Sequence, residues 1–97
     1  MVAEHAWTSA ERRIEAAHPA TDGHFPGNPI LPGAVLLTEI LSAIGAETRA
    51  IRSAKFLAPV RPGDRLLIRW RPARAGGIEF EAALEDGRLA LSGMMPS

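Results

Sequence analysis

The chain has 97 residues, no cysteine, a formal net charge of zero and 46% apolar residues. That describes a single domain, 1–97, with a thin core, and excludes disulfides and thiolate chemistry, so a partner subunit is the remaining way to bury more surface. Neutral charge and few aromatic residues argue against a nucleic-acid partner, and no 18-residue apolar run is present to span a membrane.

Met1 to Ala10 holds Glu4, His5 and Trp7 and lacks the basic start and apolar centre of a secretion signal, which makes the cytoplasm the expected location. Glu11 to Ala17 alternates as a strand candidate. A loop rich in Pro and Gly then runs from His18 to Gly33. Pro32 suits the first turn of a following helix, where a backbone N–H has no use. From Ala34 to Ile44 apolar residues fall on every side, interrupted by Thr38, Glu39 and Ser42, which predicts a buried helix with Gly45 as its stop.

Four strand candidates follow. The first is Ile51 to Phe56. Val60 to Asp64 is a turn with Pro62 and Gly63 at its centre, and Arg65 to Arg71 alternates Leu66, Ile68 and Trp70 against Leu67, Arg69 and Arg71. Gly76-Gly77 reverses the chain. Beyond it Ile78, Phe80, Ala82 and Leu84 alternate with Glu79, Glu81, Ala83 and Glu85. A two-residue hairpin at Asp86-Gly87 would pair Leu84 with Leu89, Ala82 with Leu91, Phe80 with Gly93 and Ile78 with Met95, all on one apolar face. Arg69, Arg71, Glu79 and Glu81 fall on the other face as cross-strand charge pairs. The fold class expected is α+β: a strand, a loop, a buried helix and an antiparallel meander, the sheet wrapped around the helix.

The chemistry concentrates in His24-Phe25-Pro26-Gly27-Asn28-Pro29-Ile30-Leu31-Pro32-Gly33. This run places a titratable imidazole in a stiff loop that ends at a helix start, whose free N–H groups favour a developing oxyanion. The run resembles the active-site signature of the hot-dog-fold 3-hydroxyacyl-acyl-carrier-protein dehydratases of fatty-acid synthesis. Lys55-Phe56, Pro59-Val60 and Pro62-Gly63-Asp64 are similar to the strand and turn that follow the helix in that family.

The resemblance implies the hot-dog arrangement and dehydration of a 3-hydroxyacyl thioester, on acyl carrier protein or coenzyme A, to the 2-enoyl thioester. It implies that His24 takes the proton alpha to the carbonyl and that the Gly33 N–H holds the oxyanion, a single such donor being worth about 3 kcal/mol. Phe25, Pro26, Gly27 and Pro32 would bound the substrate. It further implies a dimer joined edge to edge, with base and acid from different subunits. One position departs from the pattern: Thr38 stands where the family has the Glu or Asp that protonates the leaving hydroxide. The acid then falls to Glu39 or to a water held by Thr38.

Two other readings stay open: a non-catalytic or heterodimeric acyl-carrier-binding subunit that needs a partner's carboxylate, and an acyl thioesterase using Glu39 with Thr38. Arg49, Arg52 and Lys55 are candidates to meet an acidic carrier protein. The spacing of His5, His18 and His24 fits no common metal pattern, so no metal and no cofactor are expected.

Overall fold

The computed structural model describes residues 6–15, 30–46, 51–74 and 76–96. Five strands and one helix follow in the order β1 (Thr8–Arg13), α1 (Gly33–Ile44), β2 (Ser53–Phe56), β3 (Arg65–Pro72), β4 (Ile78–Leu84) and β5 (Leu89–Met95). The strands form one antiparallel sheet in the order β1-β3-β4-β5-β2. The meander holds for β3 to β5, whereas β2 lies at the far edge beside β5.

The segment between β2 and β3 therefore has to cross the end of the sheet, and its backbone bonds show how it is held. The N–H groups of Leu57 and Ala58 donate to the Ala90 carbonyl, at 2.9 and 3.4 Å. Further along, the Val60 carbonyl accepts from the Leu31 N–H at 2.8 Å, and Gly63 and Asp64 exchange bonds with Ile14 at the end of β1, both 2.8 Å. Pro62 and Gly63 form the central pair of the expected turn. Gly63 has φ 93°, and the turn closes with the Asp64 N–H donating to the Arg61 carbonyl at 3.0 Å.

The hairpin departs from expectation by one residue, then recovers. Its loop has three residues, Glu85-Asp86-Gly87. The Leu84 N–H donates to the Arg88 carbonyl at 2.8 Å and the Gly87 N–H to the Leu84 carbonyl at 2.9 Å, with Gly87 at φ 92°. This is the three-residue loop that ends in a left-handed residue. It shifts the pairing to Ala83 with Leu89, so the Leu84–Leu89 pair does not form. A bulge at Ala90 then restores Ala82 with Leu91, Phe80 with Gly93 and Ile78 with Met95. Ala90 and Leu91 are both fully buried, as two successive residues can be only where the alternation is broken.

The core gathers Leu36, Ile40 and Leu41 of α1 with Leu66 and Ile68 of β3, Phe80 and Ala82 of β4, Leu91 and Met95 of β5, and Ile14, Leu31 and Val60 from the connections. The helix differs from the fully buried one expected. Val35, Leu37, Ala43 and Ile44 are only partly buried, and Ala34, Thr38 and Ser42 face outward. One curved sheet in one chain covers one side of a helix. Gly45 ends α1 as expected, at φ 88°, donating to Leu41 and Ser42 while the Ala46 N–H reaches the Leu41 carbonyl.

On the outer face, Arg69 pairs with Glu81 and Arg71 with Glu79, each directly across the β3–β4 ladder. Trp7 adds what the alternation did not reveal: its ring lies over both guanidinium groups, 4.7 Å from that of Arg69 and 4.1 Å from that of Arg71. The ring thereby fastens the start of edge strand β1 to β3. Trp7→Ala is expected to cost about 1 kcal/mol, read as a lower urea midpoint.

Candidate active site

Pro32 precedes α1 as its N-cap, at φ −57° and ψ 145°, one residue earlier than the first-turn position expected. The same argument places it there: a helix start leaves its first N–H groups without intrahelical acceptors, and Pro has none to leave. The N–H groups of Gly33, Ala34 and Val35 then have no acceptor within the helix, and among the described residues no side chain caps this end. The first turn holds no acidic residue to compete for an incoming negative charge.

The helix start opens on a cleft of about 360 Å³ lined by Ile30, Leu31, Gly33, Leu36, Phe56 and the run 57–60. Apart from backbone groups the lining is apolar. The described side chains would offer an acyl chain hydrocarbon, and the helix start at Gly33 would offer backbone N–H groups to a charge developing inside.

Phe56 gives a separate reason for glycine at position 33. A side-chain Cβ there would stand 3.1 Å from Cε1 and Cζ of the Phe56 ring. The aromatic ring of an edge strand thus lies on the glycine, and 53% of Phe56 remains exposed.

The two candidate acids stand apart from this cleft. At 100° per residue, Thr38 projects about 140° and Glu39 about 120° away from Gly33, on opposite sides of the helix. Thr38 is exposed, and its Oγ1 donates back to the Ala34 carbonyl at 2.9 Å. Glu39 Oε1 accepts from Arg12 Nη1 at 3.1 Å, which ties α1 to β1. Among the described residues, neither side chain lines the cleft that Gly33 lines.

His24, Phe25, Pro26 and Gly27 lie outside the described residues, as do His5, His18 and Arg49. Arg52 and Lys55 are exposed, Lys55 within edge strand β2. Among the described residues no group of His, Asp and Glu is placed to hold a metal ion, and no helix is long and apolar enough to cross a membrane.

Known proteins resemble the chain in sequence and in fold. The family model described as ApeI-like, ApeI dehydratase, matches residues 2–94. A 3-hydroxyacyl-[acyl-carrier-protein] dehydratase FabZ from Thermomicrobium roseum is 33% identical, over 84% of this chain and 66% of its own length. The FabZ of Mannheimia succiniciproducens is 36% identical, over 65% of this chain and 51% of its own length. The chain spans about half the length of the curated relatives it matches first.

Among solved structures, the dehydratase heterocomplex ApeI:P from Xenorhabdus doucetiae superposes with a TM-score of 0.72 at 23% identity, over 96% of this chain and 87% of that one. A monoamine oxidase regulatory protein from Archaeoglobus superposes with a TM-score of 0.67 at 13% identity, over 97% and 88%. These structural likenesses are of fold, and the fold is the hot-dog arrangement expected from the sequence.

Proposed function

We propose that this chain, which belongs to the ApeI-like dehydratase family, removes water from a 3-hydroxyacyl thioester to give the 2-enoyl thioester. The observation that carries the reading is the start of α1 at Gly33, which lines an apolar cleft and which no described side chain caps. His24 takes the proton alpha to the carbonyl. The electron pair moves toward the carbonyl oxygen, where the Gly33 N–H receives the charge, and collapse of that enolate expels the 3-hydroxyl as water once it is protonated.

The acid reaches the cleft from a second chain. Thr38 and Glu39 both project away from their own Gly33, which supports a site shared between two hot-dog protomers. Edge strand β2, with Phe56 and Leu57 half-exposed at its end, is the edge along which the two sheets would join. Glu39 is engaged by Arg12 and the Thr38 hydroxyl sits exposed on the helix, so a water held at Thr38 of the second protomer serves the leaving group better than Glu39 does.

Mass spectrometry of the purified protein with a 3-hydroxyacyl-carrier-protein tests the reading. Loss of 18 Da from the acyl group is the result expected of a dehydratase. Free carrier thiol would replace it by a thioesterase. An unchanged substrate, with the protein folded and the carrier bound, would replace it by a subunit that awaits its partner. Glu39→Gln is expected to keep the dehydration rate within about tenfold of the unaltered protein, whereas a loss of a hundredfold or more would make Glu39 the acid.

Gly33→Ala separates stability from chemistry. The half-exposed Phe56 ring can give way by a few tenths of an ångström, and alanine is the better helix residue, so the melting temperature is expected to move by only a few degrees. The displaced ring then enters the cleft, and turnover is expected to fall about 10–100-fold.

A further inference from the structure

The cleft at the start of α1 has a rim and a floor of different make. Phe56 and Leu57 at the rim are 53% and 52% exposed, whereas Leu31, Leu36 and Val60 are 3%, 3% and 1% exposed and belong to the core. Leu31 and Val60 come from the connections and are joined by a backbone bond, the Leu31 N–H donating to the Val60 carbonyl at 2.8 Å. Leu36 comes from the helix itself, three residues in from Gly33.

Along the helix the cleft ends at Leu36. Gly33, Leu36 and Ile40 succeed one another on one face of α1, at i, i+3 and i+7. The first two line the cleft, and Ile40, fully buried in the core, does not. A hydrocarbon chain that enters beside the Gly33 N–H therefore meets the Leu36 side chain within one turn of helix, about 5.4 Å.

We infer that Leu36 sets the greatest acyl length this cleft accepts, and that the substrates are short-chain acyl thioesters. This rests on the reading of an acyl-thioester substrate. The argument is one of packing. Each methylene that finds room in the cleft leaves water for hydrocarbon, which tightens binding about fourfold. The first methylene to reach Leu36 has to displace a side chain that is already part of a close-packed core, and overfilling such a core is unfavourable. The gain per methylene therefore stops at one definite length. Shortening Leu36 moves that stop inward, because a hollow lined by apolar side chains stays dry and takes hydrocarbon.

Calorimetric titration of the intact protein with S-alkyl pantetheine thioethers, lengthened one methylene at a time, tests this without turnover. Affinity is expected to rise about fourfold per methylene and then to level off or fall at one length. In Leu36→Val that break is expected to come one carbon later, and in Leu36→Ala later still. Leu36→Val is the milder truncation and decides the matter if the alanine variant does not fold. Leu57→Ala, at the rim, is expected to weaken the longer ligands alike and to leave the break in place. A break that stays put in Leu36→Val, or affinity that climbs without a break in the unaltered protein, would overturn the inference.

Rates with 3-hydroxyacyl pantetheine thioesters of the same lengths separate this inference from the reading it rests on. The same break is expected in kcat/KM, displaced in the same direction by Leu36→Val. A break in binding that moves, in a protein that dehydrates none of them, would leave Leu36 as the stop of a binding cleft and remove the dehydratase reading. Dehydration at one rate for every length would do the reverse.

Discussion

His24→Ala is expected to lower kcat for dehydration by about 10²–10⁴-fold, the usual contribution of a positioned general base. The argument is chemical. A hydrogen alpha to a thioester is a weak acid, and hydroxide leaves only after the carbon beside the carbonyl has become negative. Alanine removes the proton acceptor while leaving the Gly33 N–H and the apolar cleft in place, so KM is expected to change little and the loss to fall on kcat. The unaltered protein should also lose activity as pH falls, because a protonated imidazole cannot accept a proton, and the variant's residual rate should lack that limb. Full activity in His24→Ala would remove the histidine from the mechanism and leave the helix start as an anion-binding end without a base.

Gly93→Ala is expected to cost about 3 kcal/mol or more of folding free energy, read as a drop in urea midpoint. Gly93 stands in β5 between Phe80 of β4 and Ala54 of β2. A Cβ would come within 2.5 Å of Phe80 Cζ and 2.7 Å of the Ser53 carbonyl oxygen. Phe80 is 2% exposed and the Ser53 oxygen is backbone, so neither neighbour can step aside as the Phe56 ring can over Gly33. The strand with least to hold it is β2, four residues on a sheet edge, and it should separate first. Amide exchange at Lys55 and Leu57, whose N–H groups face β5, should accelerate ahead of exchange in β3 and β4. Phe56 walls the cleft, so activity should disappear at temperatures where the meander is still intact. Adding Phe80→Leu would relieve one of the two contacts and recover part of the loss, whereas the contact with the Ser53 oxygen would remain.

The contrast between these two glycines shows what the sequence made legible. Gly33 was readable because it ends a run with chemical meaning and begins an apolar helix. Gly93 carried no local mark, since its neighbours across the sheet are 13 and 39 residues away. The alternation of β3, β4 and β5 disclosed their faces and nearly all of their register, as period-two patterns do when one face is buried. It could not disclose the three-residue loop, because Asp86-Gly87 fits a two-residue turn equally well.

Nor could local pattern place β2 beside β5 instead of β3, since a short strand of mixed polarity has no preferred neighbour until the chain is closed. In the candidate site, the helix start at Pro32 and Gly33 is legible in the sequence, as is the departure at Thr38. What Glu39 does was not visible, because Arg12 lies 27 residues away on another strand. The Trp7 ring over Arg69 and Arg71 was hidden for the same reason. Contacts between side chains distant in sequence leave no periodic signal.

The irregularity at Ala90 separates two regions of the hairpin that would otherwise be rigidly geared together. Toward the loop the ladder runs one step out of phase, and beyond Ala90 it is in phase with β2 and with the cleft wall. The phase error stops at one residue, whose carbonyl is turned to hold Leu57 and Ala58. Loop length around Glu85-Asp86-Gly87 is therefore decoupled from the strand pairs that carry Phe56, and that tip of the molecule can gain or lose a residue without moving the cleft.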